Sequence, residues 1–375
     1  MKAAISCAGT FHATLMANEF ASREIDTTIL SSAPRSYFGA LDPKVSIKFV
    51  PLPVQIISRL SGIAASKKLI YIDTVIYDRL ASLRLSPCDL FVGWADLSLD
   101  SGRRAKRLGA KYALERACPH VDFQQQLLHE EASKVGYNFK GEPRWFVGRQ
   151  YEEYRLADCI LVPSHYSANT FPDELRKKVI IAPLYGRLRN PPPNTRPGGR
   201  SVFNVGVVGG EPLRKGYLYL LQAWKKLNLP NATLRLRTGR GFDGFPVLRE
   251  LAQHCSNIEF VDYVKDINEF YQSCDLFILP SVDDGFGMAL FEAMSNGVPS
   301  IATTRCGAVE LLKDREEVYV VKAFDADEIA SAIDRIYRDS EYRLQLGRAG
   351  RRAVAGMLSG TSPLHYHNAL DNLFK

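Results

Sequence analysis

The stretch Leu279-Pro280-Ser281-Val282-Asp283-Asp284-Gly285-Phe286-Gly287-Met288-Ala289-Leu290-Phe291-Glu292 runs from an apolar strand, through a glycine-bearing turn, into a helix that opens near Met288. The free N–H groups of such a helix start favour an anion such as a pyrophosphate, and small residues at the turn let the backbone come close to it. Glu292 lies one turn inside the helix. Side chains there tilt back toward the amino end, which carries its carboxylate over the turn where Asp284 sits. Two acceptor-only groups beside a phosphate-binding turn suit the hydroxyl pairs of a sugar. A plain strand–turn–helix connection with two solvated acids has the same spacing, so the pattern alone leaves both readings open.

The segment belongs to a regular alternation. Phe203–Val208, Thr233–Arg237, Ile258–Val261, Leu276–Leu279, Ser300–Thr303 and Val318–Val321 have the length and composition of buried parallel strands. Helical stretches separate them at Gly216–Lys226, Asp266–Ser273, Met288–Asn296 and Asp327–Asp339. The first half has the same grammar, with strands at Ala3–Cys7, Thr28–Leu30, Ser46–Val50, Leu90–Gly93, Lys111–Leu114 and Cys159–Val162 and helices at Thr14–Arg23 and Val121–Val135. Such alternation predicts doubly wound α/β sheets, with ligands beyond the carboxyl ends of the strands. Three consecutive prolines and a glycine pair within Tyr185–Arg200 cannot lie inside a helix or a central strand. The expected organisation is a first domain over 1–190, a linker over 191–200, a second domain over 201–356 and a closing helical segment over 357–375 that returns to the first domain.

A chain of 375 residues is longer than one core usually grows, in keeping with two domains. No stretch has the length and apolar character of a membrane span, and the start, Met1-Lys2-Ala3-Ala4-Ile5, reads directly into a strand, so a cytoplasmic location is expected. The seven cysteines are scattered without a C-x-x-C pair and read as reduced, mostly buried thiols. Residues 1–190 hold 26 Lys and Arg against 19 Asp and Glu, so the whole net charge of +7 belongs to the first half. Its clusters are Lys67-Lys68, Arg103-Arg104-x-Lys106-Arg107 and Arg176-Lys177-Lys178. Two accounts stand: peripheral contact with an anionic membrane or a phosphate-bearing acceptor, and ordinary solvated faces. Nucleic acid is not favoured, because no cluster is interleaved with aromatics.

The segment Pro280-Ser-x-x-Asp-Gly-Phe-Gly-x-x-x-x-Glu-Ala-Met-x-x-Gly-x-Pro resembles the signature of glycosyltransferase family 4, retaining enzymes of GT-B fold that use nucleotide-sugar donors. The loop Val205–Gly216, the strand and helix across Val261–Val264 and Phe270–Ser281, and the segments Thr303–Leu312 and Ala323–Val354 extend the likeness through the second domain. The first domain matches mainly at Ala157–Ser164. What the resemblance implies is specific. Glu292 would accept hydrogen bonds from the ribose hydroxyls, and Phe286, Gly287, Met288 and Ala289 would offer backbone amides. Gly209, Gly210, Arg214 and Lys215 would form the diphosphate loop, Val264 would lie against the base, and Lys215 with Asp284 would serve the reaction. No metal is expected, since Lys215 and the helix start take the place of a cation. Two departures from the family pattern are Asp284, where a Glu is usual, and Gly210, where an Arg is common.

In the first domain the resemblance points to the loop after the fifth strand, where Glu115, Arg116 and His120 are the candidates, with Glu115 and His120 as possible reacting-side groups. Gly9 and His12 lie on a second cleft loop after the first strand. Asp325-Ala-Asp327 spells a D-x-D but sits where an acid caps a helix. His129-Glu130-Glu131 lacks the second histidine of a zinc helix and reads as a solvated face. The expected function is transfer of a sugar from a nucleotide-diphosphate donor to a glycan or lipid-linked acceptor, as in surface polysaccharide or glycolipid synthesis. A transferase-like protein that binds nucleotide or glycan without turnover is the alternative.

Overall fold

The computed structural model describes residues 1–61, 66–184, 202–239, 241–255 and 257–358, together with Tyr366 and Leu370. Thirteen strands form two all-parallel sheets among these residues. The first contains β1 (Lys2–Cys7), β2 (Asp26–Ser31), β3 (Ser46–Phe49), β4 (Leu90–Trp94), β5 (Lys111–Glu115), β6 (Cys159–Val162) and β7 (Val179–Ile181), in the order β3-β2-β1-β4-β5-β6-β7. The second contains β8 (Phe203–Val208), β9 (Ala232–Arg237), β10 (Ile258–Phe260), β11 (Leu276–Leu279), β12 (Ser300–Thr303) and β13 (Tyr319–Val321), in the order β10-β9-β8-β11-β12-β13. Each order reverses direction once, between β1 and β4 and between β8 and β11. Chains leaving neighbouring strands to opposite sides at such a point open a crevice beyond their carboxyl ends.

The central strands are short runs of Val, Ile, Leu and Phe buried on both faces, as parallel sheets require. Helices cover them. In the first domain these are α1 (Ala13–Ser22), α2 (Pro53–Ser61), α3 (Lys67–Arg84), α4 (Leu99–Arg107), α5 (Val121–Lys134), α6 (Arg144–Leu156), α7 (His165–Ala168) and α8 (Asp173–Arg176). In the second they are α9 (Tyr217–Leu227), α10 (Pro246–Gln253), α11 (Ile267–Gln272), α12 (Met288–Ser295), α13 (Ala326–Arg338) and α14 (Ser340–Leu358). Between β12 and β13 the chain makes a 3-10 turn over Gly307–Leu311. The helices over 53–84 and the edge strand β7 were not foreseen, since their apolar residues do not follow a clean period.

Buried carboxylates fix several helix starts in the first domain. Asp73 on α3 accepts from the amides of Val54 and Gln55, and Asp78 accepts from those of Asp100 and Ser101, so α2 and α4 begin on a negative charge. Glu153 on α6 likewise takes the amides of Asp96 and Ser98. The first-domain core runs on through the face of the second sheet that carries α11 and α12; a separate core lies under α9, α10 and α13. All seven cysteines are free, four of them buried. No helix among the described residues is long and apolar enough to cross a membrane. The linker over 191–200 lies outside the described residues; of the closing segment, Met357 and Leu358 end α14, Tyr366 and Leu370 are both buried, and the rest lies outside the described residues.

Candidate functional site

The second-domain half of the site is made by two loops at the β8/β11 switch. After β8, Gly209 takes φ +152, and a Cβ there would stand 2.7 Å from Lys215 Cγ. The loop ends at Gly216, φ +63, where a Cβ would meet the Pro280 carbonyl oxygen at 2.0 Å. Glycine is thus required for the loop to lie on the end of β11. That closeness brings Lys215 to the turn after β11, where its ammonium donates to Asp284 Oδ2 at 2.5 Å. Burial works to raise the Asp284 pKa, but Lys215 first and Arg214 second outweigh it and hold the carboxyl below its usual value. The Phe286 amide also donates to that carboxylate. An ammonium has three donors, so Lys215 can keep Asp284 and still bind a second anion.

The turn itself is zipped to the following loop: Asp284 N donates to Arg305 O, Gly307 N to Asp284 O, and Ala308 N to Phe286 O, all within 3.0 Å. Gly287 then opens α12 at φ +91, where a Cβ would strike Cys306 Sγ at 2.3 Å. No side chain caps this helix, and Met288 and Ala289 occupy its half-buried first turn. Glu292 is held one turn on by the buried Tyr271 hydroxyl, which donates to Oε2 at 2.8 Å. Val264 packs, half-buried, against the core. Gly210 is exposed, and its Cβ position has only Thr238 O within reach, at 3.5 Å. Arg214 reaches outward to Glu211 (2.7 Å) and inward to Asp283 (3.5 Å).

The first-domain half stands at the β1/β4 switch. His12 Nε2 lies 2.9 Å from Glu115 Oε1 at the end of β5, and Glu115 Oε2 is buried without a hydrogen-bond partner among the described residues. The imidazole lies against Trp94, tilted at 4.8 Å, and near Tyr366, whose ring is parallel to it at 6.3 Å. Phe11, half exposed at φ +35, lies over Trp94 with its ring near Gly9. Arg116 is spent on Asp96 (3.3 Å) and the Pro119 carbonyl (3.1 Å). His120 caps α5 by accepting from Asp122 N, and its ring sits buried among Tyr151, Tyr154 and Phe171. Burial lowers its pKa to about 4, so the ring is neutral.

Sequence reasoning overlooked Asp283. Fully buried, it accepts from Gln124 Nε2 (2.6 Å) and the Tyr166 hydroxyl (2.9 Å), both from the first domain. It also overlooked the reason for Gly285: a Cβ there would lie 2.2 Å from the Ala117 carbonyl, because the loop after β5 presses on the turn. Arg237, at the end of β9, sets its guanidinium 5.3 Å from the Tyr263 ring and leaves Nε buried without a hydrogen bond among the described residues. Glu131, read as part of a solvated face, is buried: it accepts from the Tyr219 hydroxyl of α9 and pairs with Lys134 at 2.6 Å. The solvated-face reading holds for His129 and Glu130, which are exposed, and fails at Glu131 because Tyr219 of α9 reaches it, a contact no helical period announces. Asp325, by contrast, caps α13 as expected, accepting from Glu328 N. No group of three or more metal-ligating side chains is present among the described residues.

Comparison with known proteins bears on the family of the second domain and on the fold. Residues 200–353 match the family described as glycosyl transferases group 1. The capsular polysaccharide biosynthesis glycosyltransferase CapM of Staphylococcus aureus is 28% identical over 163 residues, which span 42% of either chain, so the match covers less than half the length of that relative. Across the full chain, the sucrose-phosphate synthase of Thermosynechococcus elongatus superposes with TM-score 0.68 at 17% identity, covering 100% of this chain and 97% of its own. Alr3699/HepE of Anabaena, solved in complex with UDP-glucose, superposes with TM-score 0.64 at 14% identity over 100% and 98%. Over its second domain the chain therefore matches the group 1 glycosyl transferases, and as a whole it has the two-domain GT-B fold of solved glycosyltransferases.

Proposed function

We propose that this chain transfers a sugar from a nucleotide-diphosphate donor to a glycan or lipid-linked acceptor, with retention at the anomeric carbon. The observation that carries the reading is the convergence of Lys215, Asp284 and the uncapped start of α12 on one turn, with Glu292 one helical turn deeper. In this reading the diphosphate lies against Lys215 and the amides of Gly287, Met288 and Ala289. The ribose hydroxyls donate to Glu292, Val264 flanks the base, and Asp284 accepts from the transferred sugar. Charge builds on the leaving diphosphate oxygen as the glycosidic bond breaks. A fixed ammonium and a helix start stabilise that charge more in the transition state than in the donor, which is what accelerates the step. The leaving oxygen takes the proton of the acceptor hydroxyl on the same face, giving retention. Lys215 fills the place a divalent cation would hold, so a metal is not part of the proposal.

Across the cleft, His12 and Glu115 supply a buried imidazole–carboxylate pair at the acceptor side, with Phe11, Gly9 and Arg116 around it. Relatives named for capsular polysaccharide and lipopolysaccharide core biosynthesis support a surface glycan or glycolipid as product, and a lipid-linked acceptor favours work at the inner face of a membrane. A second reading, binding without turnover, is favoured by Gly210, which leaves the phosphate loop one cation short of the family pattern. Incubation with a panel of nucleotide sugars separates them. Nucleoside diphosphate release that needs acceptor and is abolished in Lys215→Ala and Glu292→Ala supports transfer. Saturable nucleotide binding with no release across acceptors supports the second reading.

A further inference from the structure

Three exposed apolar side chains, Ile56, Ile57 and Leu60, lie on α2, with Leu60 84%, Ile57 64% and Ile56 39% exposed. Three more, Leu69, Ile70 and Ile72, lie on the first turns of α3. Ser66 caps α3 by accepting from Leu69 N, and Asp73, fully buried on the same helix, holds the amides of Val54 and Gln55 at 3.0 Å. The start of α2 is thereby held to α3, and six apolar side chains exposed on two adjoining helices are the kind of surface that marks an interaction site.

The charges on the face narrow the partner. Lys67 and Lys68 open α3, where cations oppose the helix dipole, and no acid stands in the first turn to offset them. Neither has a carboxylate within ion-pair distance among the described residues. The other basic clusters of the first domain are largely engaged: Arg103 pairs with Glu152, Lys106 with Asp158, and Arg176 with Asp173, while Lys178 donates to three backbone carbonyls. At the rim, the Tyr71 ring meets Phe146 at 4.6 Å, and Phe146 in turn meets Trp145, which is 51% exposed on α6. Exposed lysines inside an apolar face with an indole at its edge match the layered chemistry of a lipid leaflet: acyl chains, headgroup boundary and anionic surface. A symmetric dimer through the same face would instead bring two lysine pairs together.

We infer that the α2–α3 face is a monotopic docking surface for an anionic lipid bilayer. Its position joins it to the cleft: Tyr71 is near the carboxylates of Glu142 and Asp96, and Asp96 pairs with Arg116 at the end of β5. A chain resting on this face holds its acceptor-side loop at the level of the headgroups, where the sugar of a lipid-linked acceptor lies. The inference rests on the transfer reading for its purpose, not for the binding itself.

The test is flotation of the full chain with phosphatidylcholine vesicles, with and without phosphatidylglycerol. Wild type is expected to float with the anionic vesicles. The double variants Ile57→Asp with Leu60→Asp, and Lys67→Glu with Lys68→Glu, are expected to lower the bound fraction about tenfold while keeping the wild-type melting temperature and transfer to a soluble acceptor. Binding indifferent to phosphatidylglycerol, or unchanged in both variants, overturns the inference. So does a wild-type dimer that the apolar variant dissolves, which would make the face a self-association surface. Vesicle binding as expected with no transfer to any acceptor would leave the surface standing and remove the transferase reading.

Discussion

The Ser164 hydroxyl of the first domain donates to the Gly285 carbonyl of the second at 2.7 Å, so the turn that carries Asp284 is held in part by the opposite domain. Glu310 returns the contact by accepting from the amides at the start of α7, and Asp283 accepts from Gln124 and Tyr166. The candidate site is thus built at a domain junction that is already closed around one turn. Gly285→Ala would drive a Cβ to 2.2 Å from Ala117 O. Overpacking of that kind is expected to cost about 1–3 kcal/mol and to separate the two loops. Thermal unfolding and donor turnover should both fall, whereas Ser164→Ala, which only removes a donor, should do less.

Lys215→Met strands the Asp284 carboxylate in a buried place. Because the folded-state pKa of Asp284 is depressed, the pair contributes stability above the unfolded value of 3.8 and loses it as pH falls through the lower folded value. The variant should therefore be less stable by about 3 kcal/mol near neutral pH, with the deficit shrinking in acid. Denaturant titrations at several pH values read the difference. Nucleoside diphosphate release should fall on the order of 100- to 1000-fold, as when one transition-state donor is removed.

His120 gives a slope of the opposite origin. Its pKa is about 4 when folded against 6.5 unfolded, so the unfolded chain takes up the proton first as pH drops through that window. Stability is unaffected above pH 6.5 and declines toward pH 4, by up to about 3 kcal/mol. His120→Asn keeps a capping acceptor for Asp122 N and removes the titration. Its stability curve should be flatter over the same interval; an unchanged slope would show that another group titrates there.

Gly210 can be tested by addition. The space beyond its Cα holds only Thr238 O at 3.5 Å and its φ is not left-handed, so a side chain fits. Gly210→Arg is expected to lower the KM for the donor by up to about tenfold, the worth of one further partly exposed cation on a diphosphate. A KM that rises or does not move would show that the phosphates lie away from this loop.

Much of this was legible in sequence where the chemistry is local. The central strands are apolar runs with turn residues at their ends, and Asp284, Gly287 and Glu292 stand on one local strand–turn–helix pattern, whereas Lys215 came from the family likeness alone and meets Asp284 from 69 positions away. What sequence did not show depends on the other domain. Asp283 reads as a loop acid until Gln124 and Tyr166 arrive from far along the chain, and Glu131 looks solvated until α9 covers it. Gly285 looks like a ligand-facing glycine, whereas the space it frees is filled by the loop after β5. The helices over 53–84 escaped for a different reason. Their outer face carries apolar residues that no core absorbs, so the usual period of one buried stripe is missing.

The central claim is a diphosphate held by Lys215 and the start of α12, with its ribose on Glu292. Crystals of the protein soaked with nucleoside diphosphates of differing base test it most directly. Phosphate oxygens are expected within hydrogen-bond distance of Lys215 Nζ and of the Met288 and Ala289 amides, with ribose hydroxyls on the Glu292 carboxylate. A nucleotide bound away from that turn, or bound there with its ribose remote from Glu292, would contradict it.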